Sequence, residues 1–170
     1  MIGDIRPVRE RPAPLSVILL CLLTWLCAMF QIGFLNHLPL LGAPIELTMV
    51  VVCMIGWRKG ALTGAITGLF GGYVLDSLSV TGVSLCPLLL LAAGVAMGLL
   101  ADRLFRHSLT YLIALLPVGV AFALYRALFS SEAATFGGKA RALGATLLGI
   151  VIAAILLELP ALIRYYKKRK

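Results

Sequence analysis

Gly60-Ala61-Leu62-Thr63-Gly64-Ala65-Ile66-Thr67-Gly68-Leu69-Phe70-Gly71-Gly72-Tyr73-Val74-Leu75-Asp76 is an apolar stretch in which glycine recurs every fourth residue and the next step is an acid. Four residues advance a helix by about 400°, so Gly60, Gly64, Gly68, Gly72 and Asp76 form one slowly winding stripe. Asp76 is the sole charge between Ala61 and Leu78. Small residues at this spacing let two membrane helices approach backbone to backbone. A carboxylate inside a spanning segment is expensive and rarely left without a partner.

The chain around this stretch reads as membrane protein. Apolar residues make up 61% of the 170, charged residues 13%, and the mean hydropathy is +1.04. Soluble domains run nearer half apolar and a quarter charged. The net charge of +8 sits mostly in short basic clusters between apolar runs, which argues against a nucleic-acid partner and for the lipid bilayer.

Six spans are expected, near Leu15–Leu35, Leu40–Trp57, Ala61–Leu78, Val83–Leu100, Leu109–Leu128 and Leu143–Ile163. Each is near the length needed to cross about 30 Å of hydrocarbon. The second has two open extents, because Pro44 and Glu46 near its start leave Leu47–Trp57 as the regular alternative. The second and third are joined by Arg58-Lys59-Gly60 and read as a helical hairpin. The expected architecture is therefore all-α: a polytopic six-helix transmembrane bundle over residues 15–163, with basic segments 1–14 and 164–170 on either side. The first span has a basic start like a signal peptide, but its long apolar run lacks an A-x-A exit, so an uncleaved anchor is expected.

With the N-terminus cytoplasmic, Arg6, Arg9, Arg11, Arg58, Lys59, Arg103, Arg106, Arg164, Lys167, Lys168, Arg169 and Lys170 all lie inside, twelve of the fifteen basic residues. Lys139 and Arg141 lie outside, and Arg126 within a span. This bias places both termini inside.

Four intramembrane ionisable residues stand out. Glu46, Asp76 and Arg126 share a depth near the outer side. They form an ion-paired cluster, or they snorkel separately to the headgroups, or they contact a transported substrate. Glu158 lies near the inner end of the last span and reads as a helix-to-helix tie. Gly94 and Gly98 in the fourth span are in GxxxG spacing, and packing of the third span on the fourth is the expectation. Cys21, Cys27, Cys53 and Cys86 show no CxxC spacing and read as small apolar side chains. No nucleophile–base pair, phosphate loop or metal-ligand spacing is present, so no catalytic residue, cofactor or metal is expected.

The run Arg58-Lys59-Gly60-xxx-Gly64-xxx-Gly68-xxx-Gly72-xxx-Asp76, then Gly82 and Gly94-xxx-Gly98, with Pro44 and Glu46 before it, resembles MreD, a small membrane subunit of the bacterial rod-shape machinery. The resemblance covers about Pro44–Arg106; the other spans match only in hydropathy. It implies a non-enzymatic protein of the bacterial inner membrane that binds an MreC-like bitopic protein. It also implies work beside a RodA-type glycosyltransferase and a penicillin-binding transpeptidase in lateral peptidoglycan synthesis. The alternative is a substrate-binding S component of an energy-coupling-factor vitamin transporter, similar in size and form, with Tyr73, Asp76 and Arg126 lining a small outer pocket.

The charge distribution makes a direct prediction. In a cysteine-free background, Glu132→Cys reacts with an impermeant thiol reagent from outside the cell and Lys168→Cys does not. The reverse labelling pattern overturns the orientation.

Overall fold

The computed structural model describes residues 13–34, 46–78, 85–103 and 108–129, with positions 144, 147, 148 and 150–152. All regular structure among them is helical. The helices are α1 (Pro14–Gly33), α2 (Leu47–Lys59), α3 (Ala61–Leu78), α4 (Cys86–Arg103) and α5 (Ser108–Phe129), and the isolated helical positions belong to a sixth.

Local chemistry accounts for the boundaries. Pro14 opens α1, where its missing N–H costs nothing. Glu46 precedes α2, which is therefore the shorter of the two expected extents. Pro87 in the first turn of α4 delays that helix to Cys86, three residues beyond the expected start at Val83. The expected sixth span and Glu158 lie largely outside the described residues.

Gly60 departs from the expected stripe. Its φ of 105° lies in the left-handed region, and it ends α2 rather than continuing a helical face. Its N–H donates to the Gly56 carbonyl at 2.9 Å, and its own carbonyl accepts from the Gly64 N–H at 2.9 Å. One residue thus closes α2 and opens α3, folding the pair into a tight hairpin.

Burial is distributed as in a protein solvated by lipid. α1 buries Thr24, Ala28 and Gln31, one inward face at helical spacing, while Leu15, Ile18, Leu19, Leu22 and Leu26 face outward. α3 buries Thr63, Gly64, Thr67, Gly68, Gly71 and Gly72 and exposes Leu62, Ile66, Leu69 and Tyr73. Along most of α3 small and hydroxyl-bearing residues are inside and large apolar ones outside, while Val74 and Leu75 near its end join the core. α1, α3 and α4 are each long and apolar enough to cross a membrane, and Tyr111–Tyr125 of α5 is a shorter apolar helix. α2, about 20 Å long at thirteen residues, is enclosed by the others and buries nearly its whole surface.

α3 and α4 pack most closely. A Cβ built on Gly64 would lie 2.6 Å from the Gly94 carbonyl oxygen and 2.8 Å from Gly56 Cα. One on Gly68 would lie 2.7 Å from the Leu90 carbonyl carbon, one on Gly72 2.6 Å from Pro87 N, and one on Gly98 2.7 Å from the Gly60 carbonyl carbon. These obstacles are backbone atoms and cannot rotate away.

Gly68→Ala is therefore expected to destabilise the protein by about 1–3 kcal/mol through overpacking, despite alanine's better helix propensity. Leu69→Ala, at a residue 50% exposed on the opposite side, should stay within about 0.5 kcal/mol. Thermal unfolding in detergent measures both, and equal effects would show that the seam is looser than described.

Candidate functional site

The most concentrated polar chemistry lies where α1 ends and α2 begins. Gln31 sits in the last turn of α1, on the inward stripe with Thr24 and Ala28. The first N–H groups of α2 have no intrahelical acceptor. Glu46 makes no side-chain cap of its own. Gln31 supplies the acceptor from the neighbouring helix. Its Oε1 accepts from the Thr48 N–H at 2.8 Å and from the Thr48 hydroxyl at 2.7 Å. Its Nε2 donates to Glu46 Oε2 at 2.9 Å.

All three residues are buried, with Glu46 only 1% exposed. A carboxylate at a helix N-terminus is favoured by the macrodipole, and here it also receives an amide donor. The arrangement fixes the Gln31 amide orientation completely, because oxygen must face Thr48 and nitrogen Glu46.

Two other threonine hydroxyls bond within their own helices, and one tyrosine bonds across helices. Thr24 Oγ1 donates to the Leu20 carbonyl at 2.8 Å, which turns its methyl toward Gly71. Thr67 Oγ1 donates to the Thr63 carbonyl at 2.9 Å. Tyr111 of α5 donates to the Val50 carbonyl at 3.2 Å and meets Trp57 edge-on, with ring centroids 5.9 Å apart.

The residues singled out from sequence fall into separate places. Gly64, Gly68 and Gly72 face Gly94, Leu90 and Pro87 along the α3–α4 seam, and Gly98 faces the Gly60–Ala61 link. Glu46 joins Gln31 and Thr48. Asp76 is half-buried at the same end of the bundle, about 3 Å (two helical residues) farther from the Gly60 turn than Glu46. It lies near Cys86 at the head of α4 and Tyr125 near the end of α5, so three helix ends converge there. Arg126 follows Tyr125 in α5, but its side chain lies outside the described residues, as does Glu158. Gln31, Thr48, Gly56 and Gly71 were not singled out from sequence. Only Gly56, four residues before Gly60 and thus in step with the ladder, carried a signal that could have found it.

The cysteines are free thiols, and no group of metal-ligating side chains occurs among the described residues. A cavity of about 200 Å³ lies between α5 and the sixth helix, lined by Leu112, Leu115, Leu116, Gly119, Leu147 and Ile150 among others. Its wall is almost wholly apolar, and it is remote in sequence from the Gln31–Glu46–Thr48 network. Compared with family models, curated proteins and solved structures, the chain matches none.

Removing the central amide tests the network. Gln31→Leu removes the acceptor of both Thr48 donors and one donor to Glu46, and is expected to cost about 1–3 kcal/mol. Glu46→Gln keeps an acceptor for Gln31 Nε2 and should cost clearly less. A double-mutant cycle of Gln31→Leu with Thr48→Val on unfolding in detergent should be non-additive; additive losses would break the proposed coupling.

Proposed function

We propose that this chain is a non-enzymatic, multi-pass subunit of the bacterial cell-elongation machinery. In this reading it crosses the inner membrane six times with both termini cytoplasmic. It binds an MreC-like bitopic protein and helps direct lateral peptidoglycan synthesis with a RodA-type glycosyltransferase and a penicillin-binding transpeptidase.

The observation that carries the proposal is the Gly64–Gly68–Gly72–Asp76 helix seated on Gly94 and Gly98 of α4. These are the residues on which the resemblance to MreD stands. They form a rigid packing unit rather than a ligand pocket. The other polar contacts also join helices: Gln31 ties α1 to α2, and Tyr111 ties α5 to α2. A bundle of this kind positions partners. Its outward apolar faces on α1, α3 and α4 suit lipid and the spanning helix of a bitopic protein.

Depletion in the source bacterium tests the proposal. Rods should become round before lysis, and the tagged chain should retain a bitopic coiled-coil membrane protein together with wall synthases. Normal rods, with a vitamin-sized molecule found by mass spectrometry in the purified protein, would overturn it and favour the transporter S component.

A further inference from the structure

We propose that the end of the bundle formed by the α2–α3 turn and the last turn of α4 binds the phosphate of an anionic phospholipid headgroup. The inference rests on the bilayer-spanning reading and is independent of any role in wall synthesis.

The backbone brings the basic residues to this end. Arg58 and Lys59 are the last two residues of α2, and both are exposed. Gly60 turns the chain immediately after them. Gly98 of α4 packs directly on the Gly60–Ala61 link, with a built Cβ only 2.7 Å from the Gly60 carbonyl carbon. α4 then runs five residues farther, to Arg103, also exposed. Five helical residues span about 7.5 Å, so Arg103 lies at the same end as Arg58 and Lys59. Asp102 is the one acid described there, which leaves three basic residues against one acidic.

The surroundings set the depth of this patch. Leu62, the residue directly after the link, is 65% exposed, and Leu99, one turn before Arg103, is 54% exposed. Outward leucines on both helices place the hydrocarbon boundary next to the basic residues. Long cationic side chains at such a boundary extend toward headgroups while their stems stay on apolar surface. The α2 and α4 C-termini present carbonyls and the α3 N-terminus presents N–H groups, so the helix-end charges oppose one another and the phosphate is held by the side chains reaching outward. Arginine and lysine both serve this purpose, arginine through its planar fork. A free phosphate would meet the same charges without the adjoining apolar surface, which is why the lipid is the favoured source.

The test uses the full chain in neutral detergent, with phosphatidylglycerol or phosphatidylcholine added at equal acyl content. Phosphatidylglycerol should raise the unfolding temperature above the phosphatidylcholine value, and added salt should erode the difference. Each basic residue near an anionic surface is worth about a fivefold change in affinity, so Lys59→Gln with Arg103→Gln should weaken phosphatidylglycerol binding about thirtyfold. The charge-conserving pair Lys59→Arg with Arg103→Lys should retain the preference, which separates lost charge from lost fold. An unchanged preference in the neutralised variant overturns the site, as does equal stabilisation of the native chain by the two lipids. Inorganic phosphate alone giving the full stabilisation also overturns the lipid assignment. Any of these outcomes with the chain still fractionating as an integral membrane protein leaves the bilayer-spanning reading intact.

Discussion

No atom larger than hydrogen fits on the facing Cα positions where α3 meets α4. A Cβ on Gly64, Gly68, Gly72, Gly94 or Gly98 would run into backbone of the other helix or of the α2–α3 link. In lipid there is no hydrophobic force to drive two apolar helices together, because the acyl chains are equally apolar. Close backbone approach, with its many dispersion contacts, is what makes the helices prefer each other. Gly56 of α2 meets the same Gly94, so three helices are fixed at a single crossing. The short α2 can then sit inside, shielded by longer neighbours.

Once that crossing is set, the polar groups have determined partners. The α2 N-terminus is buried thirteen residues from Gly60, beyond the reach of free water, and its first donors need an acceptor. α1 provides one at Gln31. The same amide donates to one oxygen of Glu46, so one side chain serves both a helix end and a buried acid. Interhelical polar contacts in membranes are modest, about 0.6 kcal/mol on average. Their value here is in position: they fix the height and rotation of α1, whose fully buried face otherwise holds Thr24 and Ala28, with Ile32 packed beside the core.

The proposed function draws on where the polar chemistry is located. Gln31, Thr48 and Tyr111 have hydrogen bonds that join one helix to another, and the glycines are covered by backbone. The cavity beside α5 is apolar. A protein whose internal polar groups hold helices together, and whose outer faces are leucine, isoleucine and phenylalanine, suits a role played by its shape and surface within a membrane. That is the role expected of a subunit that places other proteins.

Much of the helical framework was legible in the chain itself. α1, α3 and α5 begin and end within a few residues of the expected spans, because long apolar runs bounded by charge leave little latitude. The four-residue spacing of Gly64, Gly68 and Gly72 also announced a close-packing face. Gly60 shares that spacing and meets Gly98, but its left-handed φ makes it the turn and not a helical position. Spacing along a sequence cannot distinguish a stripe from a hinge at its edge. Gln31 shares a helical spacing with Thr24 and Ala28, but one amide in an apolar run acquires its meaning only when another helix's unsatisfied donors arrive beside it. Likewise the chain could set Glu46 and Asp76 near one end of the bundle. Only packing decided that Glu46 faces Gln31 while Asp76 stands by Cys86 and Tyr125. Local chemistry determined which segments are helices, and the exclusion of side chains from a narrow seam determined which residues meet.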